Sequence, residues 1–108
     1  MLLKKRIKQE EFNKKFNGTE SSVVNILKKF KPLKTQWDEI SKITLSETFI
    51  RTYQHKLNWT MISCFQNLSE NFIREFEHKL NWFLISTHQN LSENFLSEFS
   101  ERVYWNTI

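Results

Sequence analysis

The stretch LSENFIREFEHKLNW, residues 68–82, decides the fold because near copies of it stand on both sides. Residues 45–59 read LSETFIRTYQHKLNW, and residues 91–105 read LSENFLSEFSERVYW. Each copy ends in a tryptophan, and one further tryptophan precedes them; every one is followed three residues later by isoleucine. The tryptophans lie 22, 23 and 23 residues apart, at Trp37, Trp59, Trp82 and Trp105. The sequence therefore contains a tandem repeat with a period of about 23 residues.

Apolar residues within each copy follow the spacing of a helix. Counted from the leading leucine, bulky apolar side chains fall at +4, +5, +8 and +12, which is one stripe of a 3.6-residue helix. An N-cap residue three positions before a glutamate predicts where this longer helix begins. These pairs are Thr44 with Glu47, Asn67 with Glu70, and Asn90 with Glu93. A shorter helix is predicted near each tryptophan, and its caps would be Thr35 paired with Asp38, then Asn58 and Asn81.

The segment before the repeats predicts two amphipathic helices. The first runs from Leu2 to about Phe16 and ends at Asn17-Gly18, where glycine suits a left-handed residue after a helix. Thr19 is predicted to cap the second helix, and Pro32 to end it.

These patterns predict an all-α fold of tandem short helix pairs, stacked as a small solenoid or bundle and preceded by two amphipathic capping helices. We expect a single domain of residues 1–108, with a basic helical cap at residues 1–36 and helical repeats at residues 37–108.

Positive charge is concentrated before the first tryptophan. The chain carries a formal net charge of +4, but residues 1–36 hold ten Lys or Arg against three Glu, and residues 37–108 hold six against nine acidic residues. The basic residues of the cap are Lys4, Lys5, Arg6, Lys8, Lys14, Lys15, Lys28, Lys29, Lys31 and Lys34. They are candidates for contact with phosphates or with an acidic protein face, and the alternative is a solvated helix face.

Nothing in the sequence indicates catalysis. The single Cys64 cannot form an intrachain disulfide or a multi-cysteine zinc site, and one glycine is too few for a phosphate-binding loop. His55 and His78 occupy the same position in two repeats, without acidic ligands at metal-binding spacing, so we interpret them as surface residues. We therefore predict a protein that is not an enzyme and that needs no metal or cofactor.

Differences between the repeats point to binding surfaces. Phe83 stands after Trp82, where the other repeats have polar residues, and this makes it a candidate exposed anchor for a partner. A second candidate surface is a basic ledge on the first two copies, formed by Arg51, His55 and Lys56 with Arg74, His78 and Lys79.

The repeat resembles short repeats of giant-virus and phage-associated proteins of unknown function. The resemblance covers residues 37–108, and its pattern W-x-x-I-S-x-x-Q-x-L-S-E-x-F-I-x-x-F-x-x-K-L-N-W is complete between Trp59 and Trp82. In size and composition the chain is also similar to the small phage inhibitors of bacterial defence, including anti-CRISPR proteins. That similarity implies an inhibitor that docks on a host protein.

Three functional hypotheses follow. The leading one is a non-enzymatic binding protein that docks on a host nucleic-acid-handling protein or ribonucleoprotein. The second is direct binding of RNA or DNA by the basic cap. The third is self-association, as a homodimer through the Trp105 end. No stretch resembles a signal peptide or approaches the roughly 20 apolar residues of a membrane span, so we expect a cytoplasmic protein without membrane contact, in the host cell if a phage encodes it.

Overall fold

The computed structural model of the protein describes residues 3–108 and is mainly helical, which confirms the all-α class. Its elements are β1 (Lys5–Arg6), α1 (Gln9–Lys15), α2 (Glu20–Leu27), β2 (Phe30–Lys31), α3 (Lys34–Ile40), α4 (Glu47–Thr52), α5 (Trp59–Phe65), α6 (Glu70–Glu75), α7 (Trp82–His88), α8 (Glu93–Glu98) and a 3₁₀ helix at Trp105–Thr107. The chain divides into two compact units, Met1–Asn58 and Trp59–Ile108. None of the helices within residues 3–108 has the length and apolarity to cross a membrane.

The serine of each L-S-E triplet caps the following helix. The hydroxyls of Ser46, Ser69 and Ser92 each accept the backbone N–H three residues ahead, at 3.1 Å. The predicted caps Thr44, Asn67 and Asn90 are therefore wrong, because each lies two residues before the true cap. The glutamate stands at the first helical position, where its charge suits the positive end of the helix dipole.

The helix after each L-S-E serine is shorter than its apolar pattern predicts. It spans six residues, and the chain then turns through i to i+3 hydrogen bonds, such as that from the Lys79 N–H to the Phe76 carbonyl at 2.9 Å. The prediction of a longer helix over this segment is wrong, since the helix around Trp82 has seven residues. The +12 residue Leu80 is still buried, because the turn directs it back to the core.

Two serines join successive tryptophan helices in the second unit. Ser63 donates its hydroxyl to the Trp59 carbonyl at 2.7 Å and accepts the backbone N–H of Asn81 at 2.9 Å. Ser86 repeats both contacts, with the Trp82 carbonyl and the N–H of Tyr104, each at 2.8 Å. In this unit α5 packs on α7, and α7 packs on the 3₁₀ helix.

Paired phenylalanines cover the tryptophans of the second unit. The rings of Phe72 and Phe76 stack on Trp59 with centroids 6.4 and 5.1 Å away, and Phe95 and Phe99 stack on Trp82 at 6.2 and 5.1 Å. Trp82 is buried and Trp59 is half-buried, so both are largely core residues.

The L-S-E helices of the second unit are joined by their first glutamate. The Ser92 N–H and hydroxyl donate to the Glu70 carboxylate at 2.6 and 2.9 Å. These hydrogen bonds, with the backbone one dominant, lower the pKa of Glu70 below its ordinary value. The Arg74 guanidinium also pairs with Glu98, at 2.9 and 3.1 Å.

The first element that the structure describes in the first unit is a short strand, so the predicted helix from Leu2 to Phe16 is wrong between Leu3 and Lys8. β1 pairs in parallel with β2, and α1 begins only at Gln9; Leu2 itself lies outside the described residues. Ile7 is buried while Leu3 is 80% exposed, so these two apolar residues do not share a buried helix face. The Ile7 N–H donates to the Lys31 carbonyl at 3.2 Å.

The second helix of the cap begins as predicted and ends early. Gly18 has a φ of 82°, the left-handed conformation expected there, and the Thr19 hydroxyl accepts the Ser22 N–H at 3.2 Å. However, α2 ends at Leu27 and the chain is extended by Phe30, so Pro32 does not mark the helix end.

The first tryptophan helix has a different cap from the one predicted. α3 begins after Leu33, whose N–H donates to the Gln36 side-chain oxygen at 2.6 Å, so the Thr35 and Asp38 capping box is wrong. The Asn58 side-chain nitrogen donates to Asp38 at 2.9 Å. Of the two predicted asparagine caps, Asn81 is confirmed, because its side-chain oxygen accepts the Leu84 N–H at 3.1 Å.

Candidate functional site

A groove on the first unit combines basic and aromatic side chains. We call it the aromatic groove; its volume is about 540 Å³. It is lined by Lys4, Arg6, Leu27, Phe30, Lys31, Pro32, Leu33, Lys34, Trp37, Tyr53 and Lys56. Five of these described residues are Lys or Arg and none is acidic, so the groove attracts anions.

Local structure places the charges around an aromatic wall. Lys4 and Arg6 are two residues apart in an extended segment and therefore point to the same side. The Lys4 ammonium group also donates to the Leu27 carbonyl, which ties this segment to the end of α2. The rings of Trp37 and Tyr53 lie 5.6 Å apart and are tilted by 36°; Trp37 is buried, so the half-buried Tyr53 provides most of the open ring surface of this pair.

A second groove lies on the same unit and is also basic. We call it the lysine groove; its volume is about 460 Å³. It is lined by Lys15, Asn17, Ser21, Ser22, Asn25, Ile26, Lys28, Lys29 and Phe30. The described lining again contains no acidic residue. Phe30 is the residue that the two grooves share.

Most of the predicted cap residues line these grooves. Lys4, Arg6, Lys31 and Lys34 line the aromatic groove, and Lys15, Lys28 and Lys29 line the lysine groove. Lys5, Lys8 and Lys14 are exposed and line neither. The structure therefore separates the ten basic residues of the cap into two groove-lining groups and three outlying residues.

Sequence reasoning missed Phe30 and Tyr53 as site residues and placed Lys56 only on the ledge. A signal for Lys56 existed, because each copy has a basic residue three positions before its closing tryptophan. In the second unit these residues lie over tryptophan rings, with the Lys79 ammonium 5.6 Å from the Trp59 centroid and the Arg102 guanidinium 4.9 Å from that of Trp82.

Of the three ledge residues in the first unit, Lys56 lines the aromatic groove and the other two, Arg51 and His55, line neither groove. Arg51 forms an i,i+4 ion pair with Glu47 at 4.0 Å, and His55 is exposed. The predicted role of these two residues in partner binding stays a prediction.

Two of the three ledge residues of the second unit have acidic neighbours. Arg74 pairs with Glu98 and also lies over the Phe95 ring, 5.3 Å from its centroid. The His78 imidazole is 85% exposed and lies 3.2 Å from the Glu77 carboxylate. The positive charge expected at these positions is therefore partly balanced by carboxylates within the unit.

Phe83 is exposed, as its position after Trp82 predicts. Its ring is 49% exposed and meets the Tyr104 ring edge-on at 5.5 Å. Tyr104 and Trp105 are 52% and 53% exposed. The second unit therefore has aromatic side chains open to solvent.

Metal ligands are not grouped in the part of the chain that the structure describes. No cluster of three or more His, Cys, Asp or Glu side chains occurs within residues 3–108. Cys64 is half-buried, and its sulfur lies 3.6 Å from the His88 Nε2 atom.

The two grooves of the first unit thus bring together most of the basic residues that the sequence singles out. Comparison of the chain with protein-family models, curated proteins and solved structures finds no match.

Proposed function

We propose that the protein binds nucleic acid, without catalysing a reaction, through the aromatic groove and the lysine groove. One observation carries the proposal: the grooves hold eight basic side chains, half of the chain's sixteen Lys and Arg residues, and none of the described residues that line them is acidic. Phosphate groups are the anions that such lysine-rich surfaces attract, and bound phosphates release counterions from the polymer.

The aromatic lining favours nucleic acid over a simple anion. Tyr53 and Phe30, both half-buried, give the aromatic groove apolar ring surface beside its charges. Bases offer flat faces next to every phosphate of a strand, whereas the carboxylates of an acidic protein surface carry no ring of their own. The grooves therefore support direct nucleic-acid binding more than they support the docking of an acidic protein.

Exchanging the groove lysines for neutral residues tests the proposal. We expect Lys31→Gln, Lys34→Gln and Lys56→Gln together to weaken binding of a fluorescent 20-nucleotide RNA or DNA by about 10- to 100-fold at low salt, because three phosphate contacts are lost. The slope of log affinity against log salt should fall by about 2 to 3. Fluorescence anisotropy over a salt series measures both quantities.

A matched control separates the grooves from general charge. Lys8→Gln, Lys14→Gln and Lys42→Gln remove the same charge from exposed positions of the first unit that line neither groove. We expect this variant to keep most of the affinity. Equal weakening in both variants would assign binding to net charge alone, and no binding by the wild type even at low salt would reject the proposal.

A second candidate function is docking on a host nucleic-acid-handling protein, as the similarity to phage inhibitors implies. The observation in its favour is the exposed pair of rings at Phe83 and Tyr104, since exposed aromatic residues are enriched where interfaces gain most of their affinity. In this role the protein would act as an inhibitor, and the grooves would contact any nucleic acid that the target carries.

The substitution Phe83→Asp, which introduces a negative charge, tests this second candidate. In a nuclease-treated lysate of the host, we expect the wild type to retain a nucleic-acid-handling protein that Phe83→Asp loses, because a carboxylate would replace the apolar anchor. Phe65→Asp is the control, since Phe65 is 54% exposed on the same unit. Quantitative mass spectrometry of the bound fractions compares the three. A partner retained equally by Phe83→Asp would remove Phe83 as an anchor.

A further inference from the structure

Phe30 stands where the two basic grooves meet. It lines both of them, and its side chain is half-buried. The backbone at Phe30 is held by β2, where it pairs with Lys5 of β1. The junction of the two grooves therefore carries a phenylalanine whose position is fixed by a strand pair.

The Phe30 ring also differs from the core phenylalanines. Among residues 3–108 it contacts no other aromatic ring, whereas Phe12 stacks on Phe16 at 4.9 Å and Phe49 meets Tyr53 at 4.7 Å. Its face is thus not occupied by an aromatic neighbour of this chain. An aromatic residue placed between two anion-attracting surfaces matches what a base and its flanking phosphates need.

We propose that the nucleic acid bound here is a single strand, that Phe30 stacks on one of its bases, and that the phosphates on either side of this base lie in the aromatic and lysine grooves. This inference rests on the proposed function and names its substrate class. Base-to-ring stacking tolerates any sequence, because every base has a π face, so we expect little sequence preference.

A duplex fits this arrangement less well for two reasons. Its base faces are covered by its own stacking, so the Phe30 ring would find none to contact. It is also stiff, with a persistence length of about 150 base pairs, and cannot bend around one residue to enter two grooves. A single strand can do both, since its bases are open and its backbone is flexible.

Competition between strand forms tests the inference. The probes are fluorescein-labelled oligo(U) and oligo(dT) of about 12 nucleotides, and an unlabelled DNA duplex of the same length serves as competitor. We expect each single strand to bind at least about tenfold more tightly than the duplex. The two single-stranded probes also show whether the sugar matters, and preference for either one supports the inference.

A ring-removing substitution tests the stacking residue. Phe30→Leu should weaken single-strand binding by about 5- to 150-fold, the effect of losing one base stack, while the salt slope stays unchanged because no phosphate contact is lost. Phe30→Tyr keeps a ring and should retain the affinity, and an unchanged circular dichroism spectrum of Phe30→Leu excludes misfolding as the cause. Phe65→Leu removes an exposed ring from the other unit and should change nothing.

An abasic deoxyribose-phosphate strand completes the test. It carries the same charge as oligo(dT) but has no bases, so the wild type should bind it more weakly than oligo(dT). Phe30→Leu should bind the abasic strand with the same affinity as the wild type. Duplex binding as tight as single-strand binding, or full affinity in Phe30→Leu, would overturn this inference and leave the proposed function standing. Absence of binding to every probe would overturn both.

Discussion

Replacing Phe72 with alanine is expected to lower the free energy of unfolding by about 3–5 kcal/mol, the usual cost of deleting a fully buried ring. Phe72 is 0% exposed, and its ring stacks on Trp59 and on Phe76, 4.6 Å away. The substitution therefore removes apolar burial and leaves a cavity beside two large rings that cannot collapse into it. Chemical denaturation followed by tryptophan fluorescence measures the loss.

Phe65→Ala is the matched control for this prediction. Phe65 belongs to the same unit but is 54% exposed, and we expect a change within about 0.5 kcal/mol. The comparison separates the repeat position from the residue type. A loss below about 1 kcal/mol in Phe72→Ala would contradict the packing described for the second unit.

The repeat period made the helical class predictable, but the helix ends depended on contacts between repeats. The capping-box pattern pairs the L-S-E glutamate with a cap residue three positions earlier. In the second unit Glu70 instead accepts hydrogen bonds from Ser92, 22 residues ahead. Each copy offers two possible cap residues, such as Asn67 and Ser69. The local pattern cannot show which of them is the cap when the glutamate forms its hydrogen bonds with another repeat. The serine directly before the glutamate is the cap, so the serine caps the helix and the glutamate occupies its first position.

The second helix of the cap makes the same contacts as an L-S-E helix, which the sequence alone did not reveal. Glu20 accepts the Ser46 N–H at 2.6 Å and its hydroxyl at 3.3 Å, the contacts that Glu70 makes with Ser92. Thr19 caps α2 as the L-S-E serine caps its helices. The threonine and glutamate pair was visible, but the missing leucine and phenylalanines hid its relation to the repeats.

The candidate site was predictable in its charges and not in its shape. The sequence shows that basic residues cluster before Trp37. A helix over that segment would distribute their side chains over several of its faces. The strand pair instead sets Lys4 and Arg6 on the groove side and brings Phe30 and Lys31 beside them. Pairing between strands 25 residues apart has no local signal, particularly when each strand has only two residues.

The second prediction of a large effect concerns the two serines that join successive tryptophan helices. Ser63 and Ser86 are buried, and each hydroxyl accepts a backbone N–H from the next repeat while donating within its own helix. Alanine at both positions removes one hydrogen bond from each of the Asn81 and Tyr104 N–H groups; these bonds are part-buried, at about 0.5–1.5 kcal/mol each, so we expect a loss of about 1–3 kcal/mol.

Thr87→Ala is the control that separates the hydrogen bond between repeats from the hydrogen bond within the helix. Thr87 donates to the Phe83 carbonyl at 2.8 Å, as Ser86 does to that of Trp82, but Thr87 is exposed and is not the acceptor of the next repeat's N–H. We expect its loss to change stability by less than about 0.5 kcal/mol. Hydrogen exchange should quicken at the Tyr104 amide in Ser86→Ala and stay unchanged in Thr87→Ala. Equal effects in the two variants would mean that the hydroxyl stabilises its own helix and that the contact between repeats contributes nothing.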